Sequence, residues 1–252
     1  MSRVSFAVVW DQARAFIVSE QALLAPVALA WFALPALLLS IVTPDPVPPN
    51  LLPAPGGWLA WLLPVYAAIM FGSMTLATMT LVPAISVREA LRRATRRLPV
   101  GLGVMAIVLA ALLVLIALLS QIIAFLPSAA PVIMLVLLSV MLIGAVRLSL
   151  VWPMLIDSDL GPIAVIQRTL GLTRTNFWRL LGLMLLAGML SGLLIMVAEL
   201  AGGSLLLLLG RAMGNDALGT GLVMALTAIV GGLCRMVVMV YMALLYRALA
   251  PA

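Results

Sequence analysis

The 252-residue sequence has no histidine, no lysine and a single cysteine, and charged residues make up only 9% of it. Each shortage removes a class of function. Without histidine, most general acid–base pairs, nucleophile–base pairs and imidazole-ligated metal sites cannot be assembled. One cysteine, Cys234, permits neither an internal disulfide nor a thiolate metal cluster, and its apolar surroundings disfavour a reactive thiolate. No G-x-x-x-x-G-K-[ST] loop, no G-x-S-x-G elbow and no dinucleotide fingerprint occurs. No self-contained active site, metal or cofactor is therefore expected. Soluble domains carry roughly 25% charged residues, so this chain has too few to cover a surface facing water.

What is present is apolar: hydrophobic residues fill 65% of the positions, and mean hydropathy is +1.30. From Leu98 to Val146, 49 residues pass without an Asp, Glu, Lys or Arg. About 20 apolar residues cross the hydrocarbon core once at roughly 1.5 Å per helical residue, so this run suits two crossings. The same reasoning places six spans, at about 22–42, 57–83, 100–126, 132–154, 179–200 and 218–246. Backbone groups in lipid must bond within their own segment, which makes each span a helix. The expected fold is all-α and polytopic, one membrane-embedded unit covering 1–252. Arg3, Asp11, Arg14 and Glu20 interrupt the place where a cleavable signal would need its apolar core, so the first span is expected to remain as an anchor.

Arginine sets the orientation. With the N-terminus inside, Arg3, Arg14, Arg88, Arg92, Arg93, Arg96, Arg97, Arg168, Arg174, Arg179 and Arg247 all fall on the cytoplasmic side, 11 of 14. Arg147 and Arg235 fall inside spans, and only Arg211 lies outside. The positive-inside rule therefore puts both termini in the cytoplasm. The basic balance points to anionic lipid as partner, at roughly 1 kcal/mol per interfacial Arg; no basic, aromatic-interleaved pattern supports nucleic acid.

A short amphipathic helix is expected before each odd-numbered span. Phe6, Val9, Trp10, Ala13 and Ile17 share one face of the first. In the second, Val87, Ala90, Leu91, Ala94 and Leu98 oppose Arg88, Arg92, Arg93, Arg96 and Arg97. In the third, Ile163, Ile166, Leu170 and Phe177 align, Gln167 and Arg168 turn away, and Pro162 suits the first helical position. Such helices fit the cytoplasmic headgroup plane. The unit of interfacial helix, span out and span back recurs about every 78 residues, which predicts three parallel hairpin repeats with pseudo-threefold character. On the outer side, 43–57 reads as a Pro-rich extended loop and 202–219 as a short helix on the leaflet.

Residues 147–183, RLSLVWPMLIDSDLGPIAVIQRTLGLTRTNFWRLLGL, carry an Arg late in a span, a Pro, an acidic turn and a Leu-Thr-x-x-x-Phe-Trp-x-Leu run. The pattern resembles the glycerophosphodiester phosphodiesterase membrane-domain family and related six-helix bacterial inner-membrane proteins. Arg147, Pro153, Asp157, Leu172, Thr173, Phe177, Trp178 and Leu180 fill its places, and Tyr246-Arg247 is also similar. Thr169 stands where Ser is usual and Gly171 where a larger residue is common. The resemblance implies a multi-pass protein of the bacterial inner membrane. In the family the named activity belongs to a separate barrel with His, paired carboxylates and a metal, and this chain has no His to supply it.

Ionisable groups within spans are the sharpest functional pointers, since burying a charge costs roughly 2.5–3.5 kcal/mol on insertion scales. Arg147, Arg235 and Glu199 qualify. They line a polar pocket for an anionic group, or they are structural: Arg147 snorkelling or paired with Asp157, Arg235 bonding carbonyls of a neighbouring helix. Asp157 and Asp159 read as turn residues rather than a metal pair. Ser73, Thr75, Thr78 and Thr80 read as self-bonded helix hydroxyls or a substrate-lining face. Met236, Met239 and Met242 read as packing. Gly188 and Gly192 permit close helix approach, within the bundle or in a dimer. The expected role is a non-enzymatic inner-membrane protein that organises lipids or partner proteins, with Arg88, Arg92, Arg93, Arg96, Arg97, Arg168 and Arg174 as the lipid surface. The alternative is a small permease or lipid transporter. A homo-oligomer or a membrane-protein partner fits either role.

Overall fold

The computed structural model describes residues 6–43 and 56–250. Arg3 and positions 44–55 of the expected Pro-rich loop lie outside the described residues. Within them the fold is all-α, without strands. Six helical stretches are long and apolar enough to cross a membrane: Ala7–Val42, Ala60–Leu81, Val87–Phe125, Ala130–Asp157, Phe177–Ala212 and Asp216–Leu249.

The elements are α1 (Phe6–Ala28), α2 (Leu34–Val42), α3 (Trp58–Leu81), α4 (Val87–Phe125), α5 (Ala130–Leu148), α6 (Val151–Asp157), α7 (Pro162–Arg174), α8 (Phe177–Val197), α9 (Ser204–Ala212) and α10 (Asp216–Leu249). Prolines explain two of the interruptions. A proline ring clashes with the carbonyl four residues back and offers no N–H to it. For Pro153 that carbonyl belongs to Ser149, where the fourth span breaks between α5 and α6. For Pro35 it belongs to Trp31, inside the π-turn Leu29–Ala33 that joins α1 to α2. The wider turn accommodates the ring without ending the helix.

Two boundaries differ from expectation. The first and second amphipathic segments are not separate helices: α1 runs through residue 20 and α4 through Pro99 without a break. Ala90, Ala94, Gly101 and Val104 form one buried stripe that crosses the expected junction, so the packing face is continuous. Ser86 caps α4 by accepting from the Glu89 N–H at 3.2 Å. Only the third segment, α7, stands alone, starting at Pro162 as expected. Its buried residues are Val165, Thr169 and Thr173, whereas Ile163 and Leu170 of the expected apolar face point outward.

The helix expected on the outer leaflet is instead α9, joined to α8 through the π-turn Ala198–Gly203 and folded back on α10. Gly214, at φ 69°, makes the left-handed turn of this hairpin, and Asn215 caps α10 by accepting from the Leu218 N–H at 3.0 Å.

At the centre, α10 packs against α1, α3 and α9, and α3 is enclosed by α2, α4, α6 and α10. Leu24, Phe32, Met74, Leu76, Met154, Leu155, Met242 and Leu245 are among the fully buried side chains. Gly232 brings α10 against the backbone of Ala33: a Cβ there would lie 3.1 Å from Ala33 N. Ser73, Thr75, Thr78 and Thr80 are buried, and each hydroxyl donates to the carbonyl four residues earlier at 2.8–2.9 Å. That is the self-bonded arrangement; closed in on all sides, they line no open face. Met236 and Met242 are core residues. By contrast α5, α8 and the second half of α4 expose apolar side chains such as Leu113, Leu118, Leu138, Met189 and Leu193. The three hairpins are thus buried to different extents.

Candidate functional site

At the arginine-rich end, side chains from four elements are tied together. The Tyr246 hydroxyl donates to Asp157 Oδ2 at 2.8 Å, joining α10 to the end of α6. Arg97 of α4 forms an ion pair with Asp159 in the following linker. Both aspartates therefore act as ties, in keeping with their reading as turn residues. Of the structural alternatives for Arg147, the pair with Asp157 does not form; that carboxylate accepts from Tyr246, and Arg147 bonds the Leu170 carbonyl instead.

Arg147, at the end of α5, donates from Nη1 to the Leu170 carbonyl at 3.3 Å and stacks on the Phe177 ring, 5.2 Å from its centroid. The Thr173 hydroxyl, which donates to the Thr169 carbonyl at 3.0 Å, also lies 3.3 Å from the Arg147 carbonyl, so α7 sits close against α5. Arg147 then faces a cavity of about 500 Å³ lined by Arg174 and by residues 175–179. Three arginines, Arg147, Arg174 and Arg179, are among its lining residues, and no carboxylate is.

Local sequence builds this site. The α7 helix ends with Arg174 in its last turn, favourably placed beside the carbonyl end of the helix dipole. A two-residue turn, Thr175–Asn176, starts α8. Asn176 makes no side-chain cap to it; its amide donates to Thr175 Oγ1 at 3.3 Å. The first intrahelical bond is Leu180 N–H to Asn176 O, at 3.0 Å. The N–H groups of Phe177, Trp178 and Arg179 precede it, at the positive end of α8. Trp178 is 80% exposed, so its indole projects outward beside the cavity. Arginine side chains in such a lining are chemically able to make bidentate contacts to an oxyanion.

Of the residues singled out from sequence, Arg147 and Arg174 come together here. Arg179 joins them although it carried no site assignment; it lies in the first turn of α8, and the two-residue α7–α8 connection keeps it near Arg174. Arg88, Arg92, Arg93, Arg96 and Arg168 are exposed on α4 and α7, whereas Arg97 is engaged by Asp159. Arg235 lies elsewhere, on a groove of about 590 Å³ between α2, α8 and α10, its guanidinium 5.8 Å from the Phe32 ring centroid. Glu199 is exposed in the π-turn after α8; among the described residues it pairs with no arginine. Among the described residues no group of three or more Cys, Asp or Glu is placed to hold a metal. Comparison with family models, curated proteins and solved structures finds no match to this chain.

Proposed function

We propose that this chain is a non-enzymatic protein of the bacterial inner membrane that gathers anionic lipids, and any partner protein docked among them, at the cytoplasmic face. The observation that carries the reading is the cavity bounded by Arg147, Arg174 and Arg179, with no carboxylate to neutralise it. The surrounding arginines of α4 and α7 extend the same positive surface. Their distribution along the sequence supports cytoplasmic termini. The outward Ile163 and Leu170 of α7, next to Arg168 and Arg174, fit a helix at the headgroup level. The recurrence of hairpins supports descent from three repeats, and the 147–183 pattern supports kinship with the membrane-domain family named above.

The test is competitive lipid retention. Protein in mild detergent with equal phosphatidylglycerol and phosphatidylcholine is analysed by native mass spectrometry. Wild type is expected to keep phosphatidylglycerol preferentially, and R174Q/R179Q to lose about 25-fold of that preference, two arginines at about 1 kcal/mol each. Added salt should shrink the wild-type preference. An unchanged preference in the double variant would refute the assignment.

A small permease is the second reading, supported by the groove that Arg235 lines half-way along α10. It requires water in that groove. A membrane-impermeant thiol reagent should then label Arg235→Cys, made in a Cys234→Ser background, in sealed vesicles; under the lipid reading that position stays unlabelled.

A further inference from the structure

The groove at Arg235 differs in kind from the α7–α8 cavity. Its walls are mostly apolar, with Phe32 in the π-turn, Ala36 on α2, Met184 and Gly188 on α8 and Val238 on α10, and Ser40, Ser191 and Arg235 add polar groups. Gly188 and Gly192 meet no atom within 4 Å of where a Cβ would stand, so the small face of α8 is not used for packing inside the chain. Arg235 sits 12 residues before Arg247, about 18 Å along the helix, in the middle of a stretch long and apolar enough to span. Its side chain is exposed on the groove. The ion pairs among the described residues are Arg97–Asp159 and Arg211–Asp216; none includes Arg235. The Phe32 ring is a partial partner, attracting the cation without neutralising it.

An unneutralised guanidinium at that depth calls for an anion, and the apolar walls call for an acyl chain. A second copy of this chain is a poor occupant, because the charges near the middle of its spans are Arg235 and, nearer an end, Arg147 and Glu199. Two Arg235-lined faces would repel each other. A small hydrated anion is poorly served by walls this apolar. A membrane lipid supplies both parts at once.

The geometry points to a second lipid site: the α2–α8–α10 groove takes one anionic phospholipid from the bilayer, its acyl chain along Gly188 and Ser191 and its phosphate drawn below the surface to Arg235. This deepens the lipid-gathering reading and rests on the chain spanning a membrane, but not on the α7–α8 cavity. It assigns Arg235 a partner of stated chemistry, and Gly188 the task of leaving room for that partner.

The test is photo-crosslinking in phosphatidylcholine vesicles that contain the full chain and a trace of lipid with a diazirine on its acyl chain. One set of vesicles carries phosphatidylglycerol as the probe, the other phosphatidylcholine. Labelling is mapped to residues 184–195 and 224–239 and normalised to the exposed apolar face of α4. The phosphatidylglycerol probe is expected to mark these segments about fivefold more than the phosphatidylcholine probe, a preference of roughly 1 kcal/mol. R235Q should abolish the difference and R235K should retain most of it. R174Q/R179Q should leave it intact, so the two sites fail separately. Gly188→Leu fills the groove without a backbone clash and should lower both labels there, which keeps the test decisive where R235Q fails to fold. Equal marking by the two probes, or a difference that survives R235Q, overturns the site. So does absence of both labels with Cys234-linked dimers under mild oxidant, which would mean that a second copy covers the groove.

Discussion

Gly210→Ala and Gly210→Val should both destabilise the protein, valine by about 3 kcal/mol, the upper part of the range for overpacked sites. A Cβ at position 210 would stand 2.7 Å from Gly219 Cα, 2.8 Å from Gly219 N and 3.0 Å from Asn215 O. All three are backbone atoms, so no side chain can swing aside; α9 must lift from α10. Intrinsic propensity predicts the opposite sign, because alanine in a helix is favoured over glycine by about 1 kcal/mol. The sign of the alanine variant thus decides between local propensity and close helix approach. Thermal unfolding in mild detergent, followed by far-ultraviolet circular dichroism, measures it. Gly192, where a Cβ meets nothing, is the matched control and should tolerate alanine. A Gly210→Ala protein that melts at or above wild type would show that the hairpin is not packed through this pair.

Phe32→Ala should cost about 3–5 kcal/mol, as for other large aromatic truncations in closed cores. The ring is 2% exposed and sits in the π-turn that Pro35 imposes. A Cβ on Gly72 would lie 3.1 Å from its edge, so α3 is fitted closely to it. The other side of the ring faces the Arg235 guanidinium. Truncation therefore opens a cavity and strips a partly desolvated cation of its aromatic partner, the latter worth about 0.5–2 kcal/mol by itself. Phe32→Leu keeps most of the volume and should recover more than half of the loss. Titration with a denaturing detergent, read by intrinsic fluorescence, separates the two variants. A Phe32→Ala protein within about 1 kcal/mol of wild type would place the ring outside the core.

Much of the fold was legible because its cues are local. The uncharged run from 98 to 146 announced a helical pair; the face of Val87, Ala90, Leu91, Ala94 and Leu98 was expected to meet headgroups, whereas α4 packs it on other helices, with Ala90 and Ala94 fully buried. The hydroxyls of α3 bond to their own helix, as their residue types suggested. Single prolines are a weaker cue. Pro153 points to a break at Ser149 and Pro35 to a lost bond at Trp31, but average hydropathy over a span is insensitive to single prolines. On α7 two stripes compete for the inward face. Ile163 and Leu170 are the more apolar, yet Val165, Thr169 and Thr173 are inward, their threonines made acceptable by bonds to carbonyls one turn back at 2.8–3.0 Å.

The amino-acid sequence by itself determined the helices of this protein and the six stretches long and apolar enough to cross a membrane. Transfer free energy is nearly a sum over residues, so composition and run length suffice to identify apolar spans, and basic residues between them mark one end. Tertiary structure decided which arginines are engaged and which remain available. Arg97 meets Asp159, Tyr246 takes Asp157 from across 89 positions, and Arg147, Arg174 and Arg179 are brought around one cavity while Arg235 is left on a groove. The physical reason is range: charge and hydrogen-bond energies depend on separations of a few ångströms between segments far apart in the chain, and only helix packing sets those.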